Sequence, residues 1–301
     1  MSETDTFERG FQPWLVNATL KGFINLSKLL PYNQRLAMMG WFARRILGPA
    51  VRYRKRARAN LAMVYPDMPE AQRHAIADQV LDGFGRTVAE NYSRQTFRER
   101  IARCPIEGPG LPAALAARDA GRPIVFSCGH WSNHEAARTA LDLAGFKVGG
   151  LYKPMANPYF NEHYVESITD VSGPVFPTGR DGTRAFMQFI AEGGHAFLLH
   201  DVYYNRGEWM DFLGHPAKTA LTTGDLALRF DALLIPYFAT RQPDGTSFKI
   251  ELLEPIAHSD ARTMVRALMD ALEDRIAENP GQWMWIHRRW KGAPAPQALE
   301  D

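Results

Sequence analysis

Beyond Pro105 the chain settles into a rhythm that few architectures accommodate: short runs rich in Val, Ile and Phe alternate with helical patterns. Ile124 to Cys128, Lys147 to Tyr152, Pro174 to Pro177 and Ala196 to His200 read as strands, with Arg138 to Ala144 and Thr183 to Ala191 as helices between them. That is the pattern of βαβ units. Leu233 to Thr240 and Phe248 to Leu253 continue it as strands, and Asp260 to Glu278 as a long helix. Before Arg100 the chain reads as helical, punctuated by Pro31, Pro49 and the turn Pro66-Asp67-Met68-Pro69 ahead of a helix over Glu70 to Phe84. With 301 residues, 46% of them hydrophobic, it can bury one large core. The expectation is one α/β domain overall, with an amino-terminal helical region over 1–100, a core over 101–292 and a loose tail over 293–301.

Charge is informative locally. Arg44, Arg45, Arg52, Arg54, Lys55, Arg56 and Arg58 follow one another without an acid between them, an excess suited to phosphates or an anionic membrane surface. Two cysteines, Cys104 and Cys128, supply neither a disulfide framework nor a cysteine metal spacing and suit a cytosol-facing chain. Residues 1–10 lack the flank and apolar stretch of a secretory signal. Phe11 to Leu30 is the one candidate span, but Asn17, Lys21, Asn25 and Lys28 interrupt it along one helical stripe. Trp14, Leu15, Leu20, Phe23, Ile24, Leu26 and Leu30 lie opposite, so the segment reads as an amphipathic helix. Such a helix either packs on its own domain or lies in a membrane interface, and the basic run that follows favours the interface.

The run Gly129-His130-Trp131-Ser132-Asn133-His134-Glu135 carries the chemistry. His130 falls just beyond a strand's carboxyl end, where reactive groups gather in open α/β sheets. A histidine there can take a proton from a substrate hydroxyl, and a carboxylate on its second ring nitrogen would fix the tautomer. Glu135 is one candidate for that carboxylate. Ser132 to Glu135 also fits a capping box, in which Glu135 reaches back to the Ser132 amide, and the sequence leaves both roles open. A metal site on His130 and His134 lacks a third ligand at suitable spacing. Cys128 reads as a buried strand thiol rather than a nucleophile.

His-x-x-x-x-Glu after an apolar strand resembles the signature of the lysophospholipid acyltransferase superfamily. Other segments narrow the resemblance to the late lipid A acyltransferases: Arg58-Ala59-Asn60-Leu61, Leu151 to Pro158, Gly179-Arg180-Asp181-Gly182, Gly193-Gly194, Asp211 to Thr219 and Gln282 to Lys291, in that order over about residues 12–292. The resemblance implies an α/β fold of the glycerol-3-phosphate-acyltransferase type, a mixed sheet flanked by helices with a membrane-associated helical amino terminus. It implies a His130–Glu135 dyad at the cytoplasmic face of the inner membrane, acyl carrier protein as donor, a hydroxyl of a lipid A precursor as acceptor, and no cofactor. Lys153, Asn157, Arg180, Asp201, Arg288 and Arg289 are the implied substrate-binding residues. Two positions depart from the pattern: Lys153 stands where arginine is usual, and Val202 follows Asp201 where glutamine is usual. Lysine lacks arginine's bidentate fork, so the departures bear on the acceptor more than on the reaction.

Read from the residues alone, Arg180 holds a phosphate or an oxyanion, or is simply solvated. Asp201 lines the site from a neighbouring strand end or caps the next turn. His195 and His200 read as structural, and Gly214-His215-Pro216-Ala217 as a rigid loop that lines the site and closes over the acyl chain, or merely turns a corner. Asn279-Pro280 reads as a helix start that places Trp283, His287 and Trp290 on one face. Arg288, Arg289 and Lys291 form a basic cluster for carrier-protein acids or lipid phosphates, or a solvated face. Near-neutral charge and no recognised module argue against nucleic acid. Three rivals remain: an acyltransferase for a lysophospholipid or aminolipid, a thioesterase, and a binding protein with a degenerate site.

Overall fold

The computed structural model describes residues 9–293, so the polar start through residue 8 and the expected tail beyond 293 lie outside it. Six helices come first: α1 (Phe11–Ser27), α2 (Tyr32–Phe42), the short α3 (Gly48–Ala50) after a π-helical turn, α4 (Tyr53–Val64), α5 (Glu70–Asn91) and α6 (Arg94–Ile101). α2 lies very close to α5 because two glycines allow it. A methyl on Gly40 would run into Asp82, and one on Gly85 would overlap the Met39 carbonyl. Leu36, Met39 and Ala89 fill that contact.

The remainder alternates as β1 (Ile106–Glu107), α7 (Leu111–Asp119), β2 (Ile124–Cys128), α8 (His134–Leu143), β3 (Val148–Tyr152), α9 (Pro158–Ser172), β4 (Val175–Pro177), α10 (Arg180–Ala191) and β5 (His195–Leu199). A hairpin of β6 (Glu208–Phe212) and β7 (His215–Thr219) follows, then α11 (Thr222–Arg229), β8 (Leu233–Arg241), β9 (Phe248–Leu252) and α12 (Ala261–Glu278). The main sheet has the order β1-β9-β8-β2-β5-β3-β4, parallel except for the β8–β9 pair. The parallel part is what the βαβ rhythm predicts, and the whole is the mixed sheet flanked by helices that the resemblance implies.

Both faces of the central strands are buried, as parallel strands require. Val125, Ala196, Leu198 and Leu234 pack under Phe186 and Ile190 of α10, Leu226 of α11, and Met264 and Leu268 of α12. Ile124, Phe126, Phe197 and Tyr237 face the larger core, which takes in Ala137 and Leu141 of α8 and Leu81 of α5.

Three local expectations change. Leu213 and Gly214, at φ 54° and 76°, form the hairpin turn, so His215 to Ala217 belong to a strand rather than a loop. After Asn279, among the described residues, only Pro280–Gln282 is helical, as a single 3-10 turn. Trp283 instead makes an isolated bridge to Trp131, and Trp283, Trp285 and Trp290 pack on one another. In α1 both stripes reach solvent: Lys21, Asn25 and Lys28 are exposed and only Asn17 turns inward, while Phe11, Trp14, Leu15, Val16 and Leu26 are exposed as well.

Candidate active site

The site is a consequence of strand pairing. β2 and β5 are parallel neighbours with Cys128 opposite Leu199, so the residues two beyond each strand, His130 and Asp201, meet at the carboxyl edge. Asp201 Oδ1 accepts from the His130 ring at Nδ1 over 2.7 Å, and Oδ2 accepts from the His130 backbone amide at 2.8 Å. The Trp283 indole also donates to Oδ2, at 2.8 Å. Gly129 permits this approach, since a Cβ there would lie 2.9 Å from Oδ2. Burial alone would raise the Asp201 carboxyl, but the His130 ring and amide hold it well below the usual carboxylate range. An ionised carboxylate only accepts, so the proton of a neutral His130 ring sits on Nδ1 and the Nε2 lone pair is available. Nε2 has no protein partner among the described residues.

The loop that carries His130 is held on all sides. Ser132 adopts φ 48°, a left-handed conformation uncommon for a non-glycine residue, and its amide donates to the Gln282 carbonyl at 2.7 Å. Asn133, rather than Ser132, caps α8, accepting from the Glu135 amide at 3.1 Å. The Asn133 side-chain amide donates to Glu90 at 2.9 Å, and Glu90 is itself clamped by Arg241 through both carboxylate oxygens. The capping box is therefore not formed, and the Ser132 hydroxyl is left buried without a partner.

Glu135 lines the same cavity as His130 but pairs elsewhere. Arg138 Nη1 lies 3.1 Å from its Oε2, and the Ser172 hydroxyl donates to that oxygen at 2.8 Å. His134 Nε2 is 3.5 Å from Oε1. Burial lowers the pKa of His134 to about 4, which keeps its ring neutral. Cys128 is likewise buried and its thiol is pushed well above its ordinary value, so it is not a nucleophile.

The cavity measures about 1530 Å³ and reaches from α5 past His130 to the sheet face beneath α9. Among the buried polar atoms on its walls that lack a protein partner are Ser132 Oγ, His200 Nε2 and Thr223 Oγ1. Lys153 lines it and is exposed. Arg180 opens α10, exposed and outside the cavity wall. Asn157 is committed to structure: it caps α9 through Tyr159 and Phe160 and donates to the Pro13 carbonyl at 2.7 Å. The basic cluster expected at the carboxyl end keeps Arg288 and Lys291 at the surface but loses Arg289 to the interior. Arg288 is exposed, whereas Arg289 is 0% exposed, bonded to the Lys218 carbonyl and the Thr219 hydroxyl, and lies over the Phe212 ring. Burial lowers its pKa to about 10, and a carrier protein cannot reach it.

Sequence reasoning missed the Trp283 indole, read there as packing, and the Glu90–Arg241 clamp, which no local pattern announces. The Arg58-Ala59-Asn60-Leu61 segment acquires a physical meaning, because Asn60 donates to the Trp285 and His287 carbonyls and ties α4 to the carboxyl-terminal segment.

A histidine ring held by a buried carboxylate, on the wall of a cavity large enough for a fatty chain, is an arrangement that can activate an O–H group. The family match specifies the class further. The chain belongs to the bacterial lipid A biosynthesis acyltransferase family, whose model matches residues 5–292, and it is an acyltransferase. It is 22% identical to a lipid A biosynthesis myristoyltransferase of Escherichia coli, covering 83% of this chain and 78% of that protein. A lipid A biosynthesis lauroyltransferase of the same organism is 23% identical, over 81% and 82% of the two chains. A phosphatidylinositol mannoside acyltransferase of Mycobacterium tuberculosis is 22% identical, over 77% and 76%.

Proposed function

We propose that this protein moves a fatty acyl chain from acyl carrier protein to a hydroxyl of a lipid A precursor, with His130 as the base. The observation that carries the reading is the 2.7 Å contact between His130 Nδ1 and the buried Asp201. Nε2 takes the proton of the acceptor hydroxyl as its oxygen forms a bond to the thioester carbonyl carbon. The negative charge moves onto the carbonyl oxygen, for which we propose as donor the unpartnered Ser132 hydroxyl on the cavity wall. Collapse breaks the carbon–sulfur bond, and the imidazolium returns its proton to the departing thiolate. Asp201 stabilises the imidazolium and keeps its own charge throughout. Glu135, expected as the partner of the base, acts in this reading through Arg138 and Ser172 on the cavity wall.

The acceptor is a membrane lipid, and the amino-terminal surface suits one. No helix among the described residues is long and apolar enough to cross a membrane. Yet Phe11 is 75% and Leu29 80% exposed, with Trp14, Leu15, Leu26, Trp41, Ile46 and Val51 also outward. Arg45, Arg52 and Lys55 are exposed in the same region. Apolar residues beside cations favour shallow insertion into an anionic leaflet, here the cytoplasmic face of the inner membrane. A lipid acceptor of another kind is the second reading, favoured by Val202 and Lys153 on the cavity wall. Incubation with acyl carrier protein thioester and either a lipid A precursor or a lysophospholipid, read by mass spectrometry, separates the two. Acylation of the second lipid alone would overturn the acceptor assignment, and acyl release at equal rate without any lipid would point to hydrolysis.

A further inference from the structure

The cavity contains a notch whose shape is set by a missing side chain. Strand pairing places Gly150 of β3 between Val175 of β4 and Phe197 of β5, and all three line the cavity. The adjacent Gly149 is required by packing, since a Cβ there would lie 2.5 Å from the Phe189 ring. Gly150 is not. A Cβ on it would meet the Phe197 carbonyl at 3.5 Å, a Val175 methyl at 3.8 Å and the Arg138 guanidinium carbon at 4.0 Å, all ordinary contacts. Glycine here is thus neither a backbone nor a packing necessity, and its effect is to leave space between two bulky neighbours.

That space lies beneath α9, with Tyr164 and Ile168 on the cavity wall, and ends against Arg138, which is 1% exposed and tied to Glu135 and to the Gly173 and Pro174 carbonyls. An alkyl chain cannot displace a buried ion pair without stranding a charge, so this wall is a firm stop. From Phe197 along β5 and two residues past its end to Asp201, the chain covers at most roughly 13 Å at about 3.3 Å per residue, which separates the notch from His130 by the length of a fatty chain of on the order of ten carbons.

We infer that the notch at Gly150 receives the far end of the donor's acyl chain and sets its length. The inference rests on the proposed acyl transfer, and its test reads chain preference from total thioester consumption, so that it does not depend on which acceptor is used. Carrier proteins bearing chains from eight to sixteen carbons compete for wild type, Gly150→Ala, Gly150→Leu and Val175→Ala. Gly150→Leu moves the optimum to chains about two to four carbons shorter and lowers kcat/KM for the wild-type optimum at least ~10-fold, the discrimination that lost methylene contacts in a pocket supply. Gly150→Ala gives a smaller move in the same direction. Val175→Ala moves the optimum longer, a gain that misfolding cannot imitate. An unchanged length profile in both Gly150→Leu and Val175→Ala, or a uniform loss across all lengths with no gain in Val175→Ala, overturns the inference. A length shift seen only as fatty acid release, with no lipid acylated, supports it while refuting the proposed acceptor, and consumption of no thioester by wild type refutes both.

Discussion

At the residue scale, the proposed base His130 was legible and the carboxylate that holds its ring was not. His130 stands at the junction of an apolar strand and a helix, a local pattern, whereas Asp201 is 71 residues away and reaches it only through the pairing of β2 with β5. Glu135 drew attention because it is close in sequence, but Arg138 and Ser172 take its carboxylate. Removing that carboxylate strands the Arg138 guanidinium, so Glu135→Ala should cost about 3–5 kcal/mol of stability by denaturant unfolding, the usual penalty for breaking a buried pair. Trp283→Phe removes one donor from Asp201 without altering the ring stack much, and is expected to lower kcat by roughly 10- to 100-fold with little change in KM, the size of a charge-assisted hydrogen bond of about 1.5–3 kcal/mol. A folded Trp283→Phe enzyme with wild-type kcat would show that the indole does not position Asp201.

At the scale of elements, periodicity identified β2, β3, β5, β8 and β9 to within about two residues, because buried parallel strands are short unbroken apolar runs. It failed where tertiary contacts override local spacing. Trp283, His287 and Trp290 stand at helical intervals, but pairing of Trp283 with Trp131 and hydrogen bonds from Ser132 and Asn60 draw that segment into extended and turn conformations. α1 was legible as amphipathic, yet its buried side holds only Ile24, Ser27 and the Asn17 contact to His163, leaving Phe11, Trp14, Leu15, Val16 and Leu26 outward. The double variant Trp14→Ser, Leu29→Ser should therefore weaken flotation with anionic vesicles while leaving thermal stability within about 0.5 kcal/mol, as exposed positions do. Unchanged flotation would remove this face from membrane attachment.

At the scale of the whole molecule, burial fixes the charge state of the interior. His134, His195, His200 and His287 all have pKa values lowered to about 4 by burial. Between pH 6.5 and 4 the unfolded chain binds protons at these rings that the folded one refuses, so stability rises with pH across that window and is lost on acidification. Tm should fall steadily from pH 6.5 towards 4 and owe nothing to these groups above pH 7; a Tm flat across the acid window would mean that the rings take up protons in place. The same folded frame connects α4, the carboxyl-terminal segment and the strand ends around His130, so one acyl-transfer assay of the intact protein reads its integrity and its chemistry together. The most direct test is that assay applied to Asp201→Asn and Glu135→Gln, each checked for folding by circular dichroism. Asp201→Asn is expected to lose on the order of 10³- to 10⁴-fold in kcat, as when the orienting carboxylate of a histidine base is neutralised, while Glu135→Gln keeps activity within about 10-fold. A folded Asp201→Asn enzyme with near wild-type turnover, beside an inactive Glu135→Gln, would contradict the account and make Glu135 the partner of His130.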